Sequence, residues 1–166
     1  MQFITAGLRV FQLIFTIIVL ALSVKLAKGQ EVGSVPAETG YAAFTGGFGI
    51  LAAIVGIAAL FVDSLDGLVT MVLDGVSGLA LLAGGIVYAV RLRGTSCSDY
   101  YTTWDNVLLN GGCIKLNSED FVRCAYTKGQ LKPRCTSATA DAAFMFLGFV
   151  MCVAVVGASF VFRGRR

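Results

Sequence analysis

The residues of this chain best placed to do chemistry are four cysteines, Cys97, Cys113, Cys124 and Cys135, and one isolated acid, Asp74. The cysteines fall within residues 94–140, a segment rich in Asn, Asp, Ser, Thr, Lys and Gly. Thiols so grouped either ligate a metal or oxidise to disulfides. Their intervals of 16, 11 and 11 residues contain no Cys-x-x-Cys knuckle and the chain has no histidine, whereas tetrahedral metal sites draw on closely paired Cys or His ligands. Disulfides are expected and a metal centre is not. The segment is too short and too polar to bury a core of its own, and small domains of that kind depend on cross-links. Four cysteines admit three pairings. The nested one, Cys97 with Cys135 and Cys113 with Cys124, is preferred, because its outer bond would pinch together the two ends of the segment.

Asp74 stands in an apolar run. A carboxylate buried in a bilayer costs about 2.5 to 3.5 kcal/mol even on lenient insertion scales, so it must be neutralised, hydrogen-bonded or near the interface. Gln12, Thr16 and Arg9 of the first apolar run are candidate partners, and a packing role is preferred over a protonatable or headgroup-sensing one. A lone acid without a second acid or a deeper basic partner makes a poor proton path. Cys152 reads as a small core residue. Arg163, Arg165 and Arg166 read as an orientation anchor or a contact for anionic lipid. Without histidine there is no His-based triad, and G-x-S-x-G, Walker and H-E-x-x-H motifs are missing, as is a basic-aromatic nucleic-acid surface. The expectation is a non-enzyme with no cofactor and no nucleic-acid partner.

These groups must be positioned by membrane helices. Mean hydropathy is +0.81 and charged residues make up only 14% of the chain, against roughly 25% in soluble proteins. Four stretches, about 8–24, 41–62, 67–90 and 142–162, are long and apolar enough to span a bilayer. The fold class expected is an all-α integral membrane protein, a four-helix bundle in a single domain over 1–166, with a small disulfide-stapled extracellular loop at 94–140 between the third and fourth spans. Arg9 and Gln12 open the first span, where a long basic side chain can snorkel to the interface. That span is expected to be retained, since its basic flank is weak and Ala27-Lys28-Gly29 is a poor signal-peptidase site.

Residues 25–40 read as an irregular loop, and Asp63-Ser64-Leu65-Asp66 as a tight turn making an antiparallel hairpin of spans two and three. Small residues crowd those two spans, including Gly46, Gly49 and Gly56 in one and Gly78, Gly84 and Gly85 in the other. The hairpin's own packing accounts for them more simply than oligomerisation does. Within the cysteine segment, Val107-Leu109 and Cys113-Leu116 read as a hairpin about Asn110-Gly111-Gly112. Ser118 then reads as the cap of a short helix carrying Phe121, Cys124 and Ala125 and stopping near Gly129. No N-glycosylation sequon occurs.

Four spans place both termini on one side. The basic residues conflict with the cysteines over which side: nine of thirteen lie in the two loops that share a face, which points those loops inward. Charge counts weaken for translocated folded loops, and disulfides persist outside the cytosol. Cytoplasmic termini are expected.

The tight turn, the acid in the third span (Asp74), Arg93-Gly94-Thr95-Ser96-Cys97 after that span, and Arg134-Cys135 leading through Ala138 into Ala142-Ala143-Phe144 resemble fungal MARVEL-domain proteins. The nearest likeness is to the non-classical-export group associated with eisosomes. The middle of the segment, with Cys113 and Cys124, departs from that pattern as an added insertion. The resemblance implies a plasma-membrane organiser of lipid-ordered or curved domains, furrow-like and sphingolipid-responsive. It also implies cytoplasmic termini, Cys97–Cys135 as the family disulfide, and as partners membrane lipids (sphingolipid, sterol or anionic lipid), self-association or other membrane proteins. Tetraspanins carry a Cys-Cys-Gly element that this chain lacks, and claudin-type proteins place their Trp and cysteines in the first loop. An accessory subunit of a larger membrane enzyme or pump is the alternative class.

Overall fold

A computed structural model describes residues 2–61, 68–115 and 122–163. The elements in chain order are α1 (Gln2–Lys28), α2 (Ala37–Ala58), α3 (Leu68–Arg91), α4 (Tyr100–Trp104), β1 (Cys113–Lys115), β2 (Val122–Cys124) and α5 (Lys128–Arg163). The four long helices are each long and apolar enough to cross a membrane. α1 packs on α2 and α5, and α3 packs on the same two. The bundle is therefore a ring in which α1 and α3 occupy opposite corners.

The reason for this arrangement is written in the spacing of the inward residues. In α1 the buried positions are Arg9, Gln12, Thr16, Val19, Ser23 and Leu26, alternating steps of three and four that form one helical stripe. Phe11, Ile14 and Ile17 point outward, as do Phe44, Leu51 and Ile54 of α2, Leu79 and Val90 of α3, and Val150 and Phe160 of α5. The polarity of a soluble protein is inverted, with Thr, Ser, Gln, Asp and Arg inside and large apolar side chains outside. Only a hydrocarbon surrounding makes that distribution favourable.

Glycines set the helix separations, but not within the hairpin of α2 and α3 as expected. A methyl at Gly46 would stand 2.7 Å from the Leu20 backbone nitrogen, and methyls at Gly49 and Gly56 would strike Thr16 and the Arg9 guanidinium of α1. Those at Gly78, Gly84 and Gly85 would press on Cys152, Met145 and Phe146 of α5 at 3.0, 3.0 and 3.1 Å. Each glycine ridge thus makes its tightest approach across the other side of the ring, while Gly49 and Gly84 also reach Ser77 and Tyr41 across the hairpin at 3.4 and 3.5 Å.

The cysteine segment differs from expectation in three places. α5 begins at Lys128 instead of near 142 and runs 36 residues, about 54 Å at 1.5 Å per residue, well beyond a hydrocarbon core of about 30 Å. Leu131, Cys135, Ala138, Ala142 and Met145 are all buried at steps of four and three. That unbroken stripe carries the helix through the polar sequence at 128–140. Second, Cys113–Lys115 pairs with Val122–Cys124, in register Cys113 to Cys124, whereas Val107–Leu109 forms a turn. Cys124 is thus in a strand, not a helix; the cap expected at Ser118 and the 63–66 turn lie outside the described residues.

Third, the Asn110-Gly111-Gly112 bend receives the first loop instead of reversing a hairpin. Gly111 and Gly112 adopt φ of 72° and 95°, conformations that glycine tolerates. The Asn110 side chain accepts from Gly112 N at 3.0 Å, and the Gly111 carbonyl accepts from Glu31 N and Val32 N at 3.0 and 3.1 Å. Among its described residues the segment has no separate core. Leu108 and Leu109 join the apolar cluster of the bundle with Leu26, Tyr88 and Cys135.

Cys97 is bonded to Cys135 and Cys113 to Cys124. The first bond closes 38 residues and the second 11, which on chain-entropy grounds stabilise by about 4 and about 3 kcal/mol. Replacing Cys97 and Cys135 together by Ala should lower the unfolding midpoint in detergent more than replacing Cys113 and Cys124. Gly46→Ala should cost about 1 to 3 kcal/mol in denaturant titration through overpacking, while Gly75→Ala, which meets nothing within 4 Å, should not destabilise.

Candidate functional site

The inward stripe of α1 delivers two polar side chains, one turn apart, to the termini end of the bundle. Arg9 and Gln12 lie on the same face, and α3 brings Asp74 to them from the opposite corner. Arg9 Nη1 donates to Asp74 Oδ1 at 2.6 Å and to Gln12 Oε1 at 3.1 Å. Gln12 Nε2 donates to the same Asp74 oxygen at 2.9 Å and reaches Cys152 Sγ of α5 at 3.4 Å. The three side chains close a triangle of hydrogen bonds with exposures of 3%, 0% and 1% for Arg9, Gln12 and Asp74. Arg9 does not snorkel, because Gly56 leaves the space beside α2 that its guanidinium fills.

Such a triangle has zero net charge, and its polar groups stabilise one another in a low-dielectric interior. Thr16 and Ser77 extend it by one turn on α1 and α3; Thr16 Oγ1 donates back to the Gln12 carbonyl at 2.9 Å. Val19, Leu81 and Met145, each fully buried, then form an apolar layer.

Beyond that layer stands a second polar node. Ser23 Oγ of α1 donates to Asp141 Oδ2 of α5 at 2.7 Å, and Asp141 is fully buried. Its Oδ1 has no hydrogen-bond partner among the described residues. From Gln12 to Ser23 the rise is about 16 Å along the helix, so the two nodes are separate.

At the loop end, Arg134 of α5 gathers three segments. Its Nε donates to the Leu109 carbonyl at 3.0 Å and its Nη2 to the Leu26 carbonyl at 3.3 Å. Its guanidinium lies 4.6 Å from the Tyr126 ring centre, and the Tyr126 hydroxyl donates to the Gly29 carbonyl at 2.6 Å. Guanidinium planarity suits this work, since its several donors fan out to carbonyls while its face stacks on the ring.

Of the residues singled out from sequence, Asp74 and Gln12 meet in one node, and the four cysteines occupy the opposite end. Arg163 ends α5, and Arg165 and Arg166 lie outside the described residues. Asp141 and Ser23 were missed as a pair. The available signal was their position on the inward stripes, Ser23 seven residues after Thr16 and Asp141 three after Ala138. Arg134 was legible only as a motif residue, because its partners are backbone carbonyls that no side-chain pattern announces.

Breaking the ion pair from one side strands a charge, which costs about 3 to 5 kcal/mol, whereas replacing both partners by apolar groups is often neutral. Asp74→Leu should therefore destabilise strongly, and Arg9→Met with Asp74→Leu should recover most of the loss, in a double-mutant cycle followed by denaturant unfolding in detergent.

Residues 2–157 match the family profile described as MARVEL, a membrane-associating domain. No curated protein and no solved structure matches the chain.

Proposed function

Because the chain belongs to the MARVEL family of membrane-associating domains, we propose that it is a non-enzymatic organiser of lipid or curved domains in the plasma membrane. In this reading the whole chain, 1–166, is one domain. It recruits lipid around an apolar exterior and assembles with its own kind. The observation that carries the reading is the inverted polarity of the bundle, whose polar groups are turned inward onto each other while Phe11, Phe44, Leu51 and Leu79 face outward. The apolar layer of Val19, Leu81 and Met145 between the two polar nodes argues against a proton or ion path. Asp74 is then a packing residue.

The disulfides support an extracellular loop and cytoplasmic termini, since such bonds persist in oxidising compartments. The same orientation puts Arg163, Arg165 and Arg166 against the anionic inner leaflet, where each basic residue contributes about 1 kcal/mol. Association with furrow-like, eisosome-type domains and response to sphingolipid follow from the likeness of the Arg93–Cys97 and Arg134–Phe144 elements to that fungal group.

The test is imaging of the chain fused to a fluorescent protein at native expression, combined with mass spectrometry of what copurifies. Patches that disperse on sphingolipid depletion, with the chain itself as the main crosslinked species, are expected. Uniform distribution with one stoichiometric large partner would overturn the reading in favour of an accessory subunit.

A further inference from the structure

Between the first loop and the loop after α3 lies a cavity of about 690 Å³, within the range of small-molecule sites. Glu38, the second residue of α2, and Arg91, the last of α3, both line it. Since those two helices are membrane spans, the cavity lies at their ends, at the level of the lipid headgroups.

Its charges are unevenly satisfied. Arg91 Nη2 and Glu38 Oε1 form an ion pair at 2.5 Å. Arg93 and Asp105 also line the cavity, and neither side chain has a hydrogen-bond or ion-pair partner among the described residues, nor do they pair with each other. The frame that holds them apart is built. Asn106 Nδ2 donates to the Arg91 carbonyl at 2.8 Å and to Thr95 Oγ1 at 2.9 Å, and Asp99 caps α4 by accepting from Tyr101 N at 3.1 Å. The Cys97–Cys135 bond ties the same loop to α5.

A cavity that presents one free cation and one free anion, held beyond pairing distance of each other, complements a molecule that carries both charges. With Arg91 and Glu38 paired to each other, a simple anion would still meet Asp105, and a simple cation would still meet Arg93. We propose that this cavity takes the headgroup of a zwitterionic phosphodiester, with its phosphate at Arg93 and its ammonium group at Asp105. Guanidinium is the side chain suited to phosphate oxygens. The proposal rests on the organiser reading in placing a bilayer at this level, and it deepens that reading by naming a lipid class.

Trp104, the chain's single tryptophan, stands in the chain between Thr102 and Asp105, which both line the cavity, and its emission is the readout. The experiment uses the full chain with its disulfides intact, purified in an uncharged maltoside detergent and titrated with dihexanoyl phosphatidylcholine, glycerophosphocholine and dihexanoyl phosphatidylglycerol. A saturable change with phosphatidylcholine is expected, weakened about tenfold or more by Arg93→Gln and by Asp105→Asn and unaltered by Lys132→Gln. Equal saturation by glycerophosphocholine assigns the site to a soluble headgroup; saturation by the lipid alone assigns it to the bilayer. No saturable response, or phosphatidylglycerol binding as tightly with Asp105→Asn indifferent, overturns the proposal. A saturable response from a chain that is uniformly distributed in cells removes the organiser reading and leaves the site; patches without the response do the reverse.

Discussion

The structure depends on a solvent that cannot satisfy a polar group. In hydrocarbon every charge must find its partner inside the protein, and the Arg9–Asp74 pair meets that demand across the diagonal of the ring. Neighbouring helices in a bundle are held by their packed ridges. Opposite corners have no such contact, so a bond between α1 and α3 fixes what packing leaves loose. The pair also determines rotation, for only one face of α1 can present Arg9 and Gln12 to α3. Gly56 of α2 follows from it, because a guanidinium lying between helices needs a partner surface without side chains.

The same logic reappears at the loop end with different chemistry. Arg134 serves carbonyls left open where α1 and the 107–110 turn finish, and the first loop finds its hydrogen bonds on Gly111. The cap is thereby an extension of the bundle, sharing one apolar cluster with it. Disulfides fasten this arrangement; they do not substitute for a missing core, as the polar composition of the segment alone would suggest.

Much of the bundle was legible in sequence because lipid imposes length and hydropathy on each span. The fourth span was misjudged at its start for a reason of the same kind: hydropathy marks where the bilayer ends, not where a helix ends. The stripe through Leu131, Cys135 and Ala138 continues past that point and marks the helix itself. The hairpin misassignment arose because an Asn-Gly bend reports a backbone conformation, and that conformation serves docking as well as reversal. Arg9, Gln12 and Asp74 were nameable as partners since few polar residues occupy the spans. Ser23 and Asp141 escaped because Asp141 lies at the polar edge, where an acid attracts no notice.

α5 passes from the bundle into the cap without a break, and Cys135 and Arg134 on it are fastened to the chain following α3 and to α1. The cap consequently stands at a fixed height above the helices and cannot slide along them. A bilayer thicker or thinner than the distance from that cap to the opposite helix ends must itself deform, at a fraction of a kcal/mol per Å. The chain thus presents the surrounding lipid with one apolar height, set by covalent and hydrogen-bonded ties instead of by the helix packing alone.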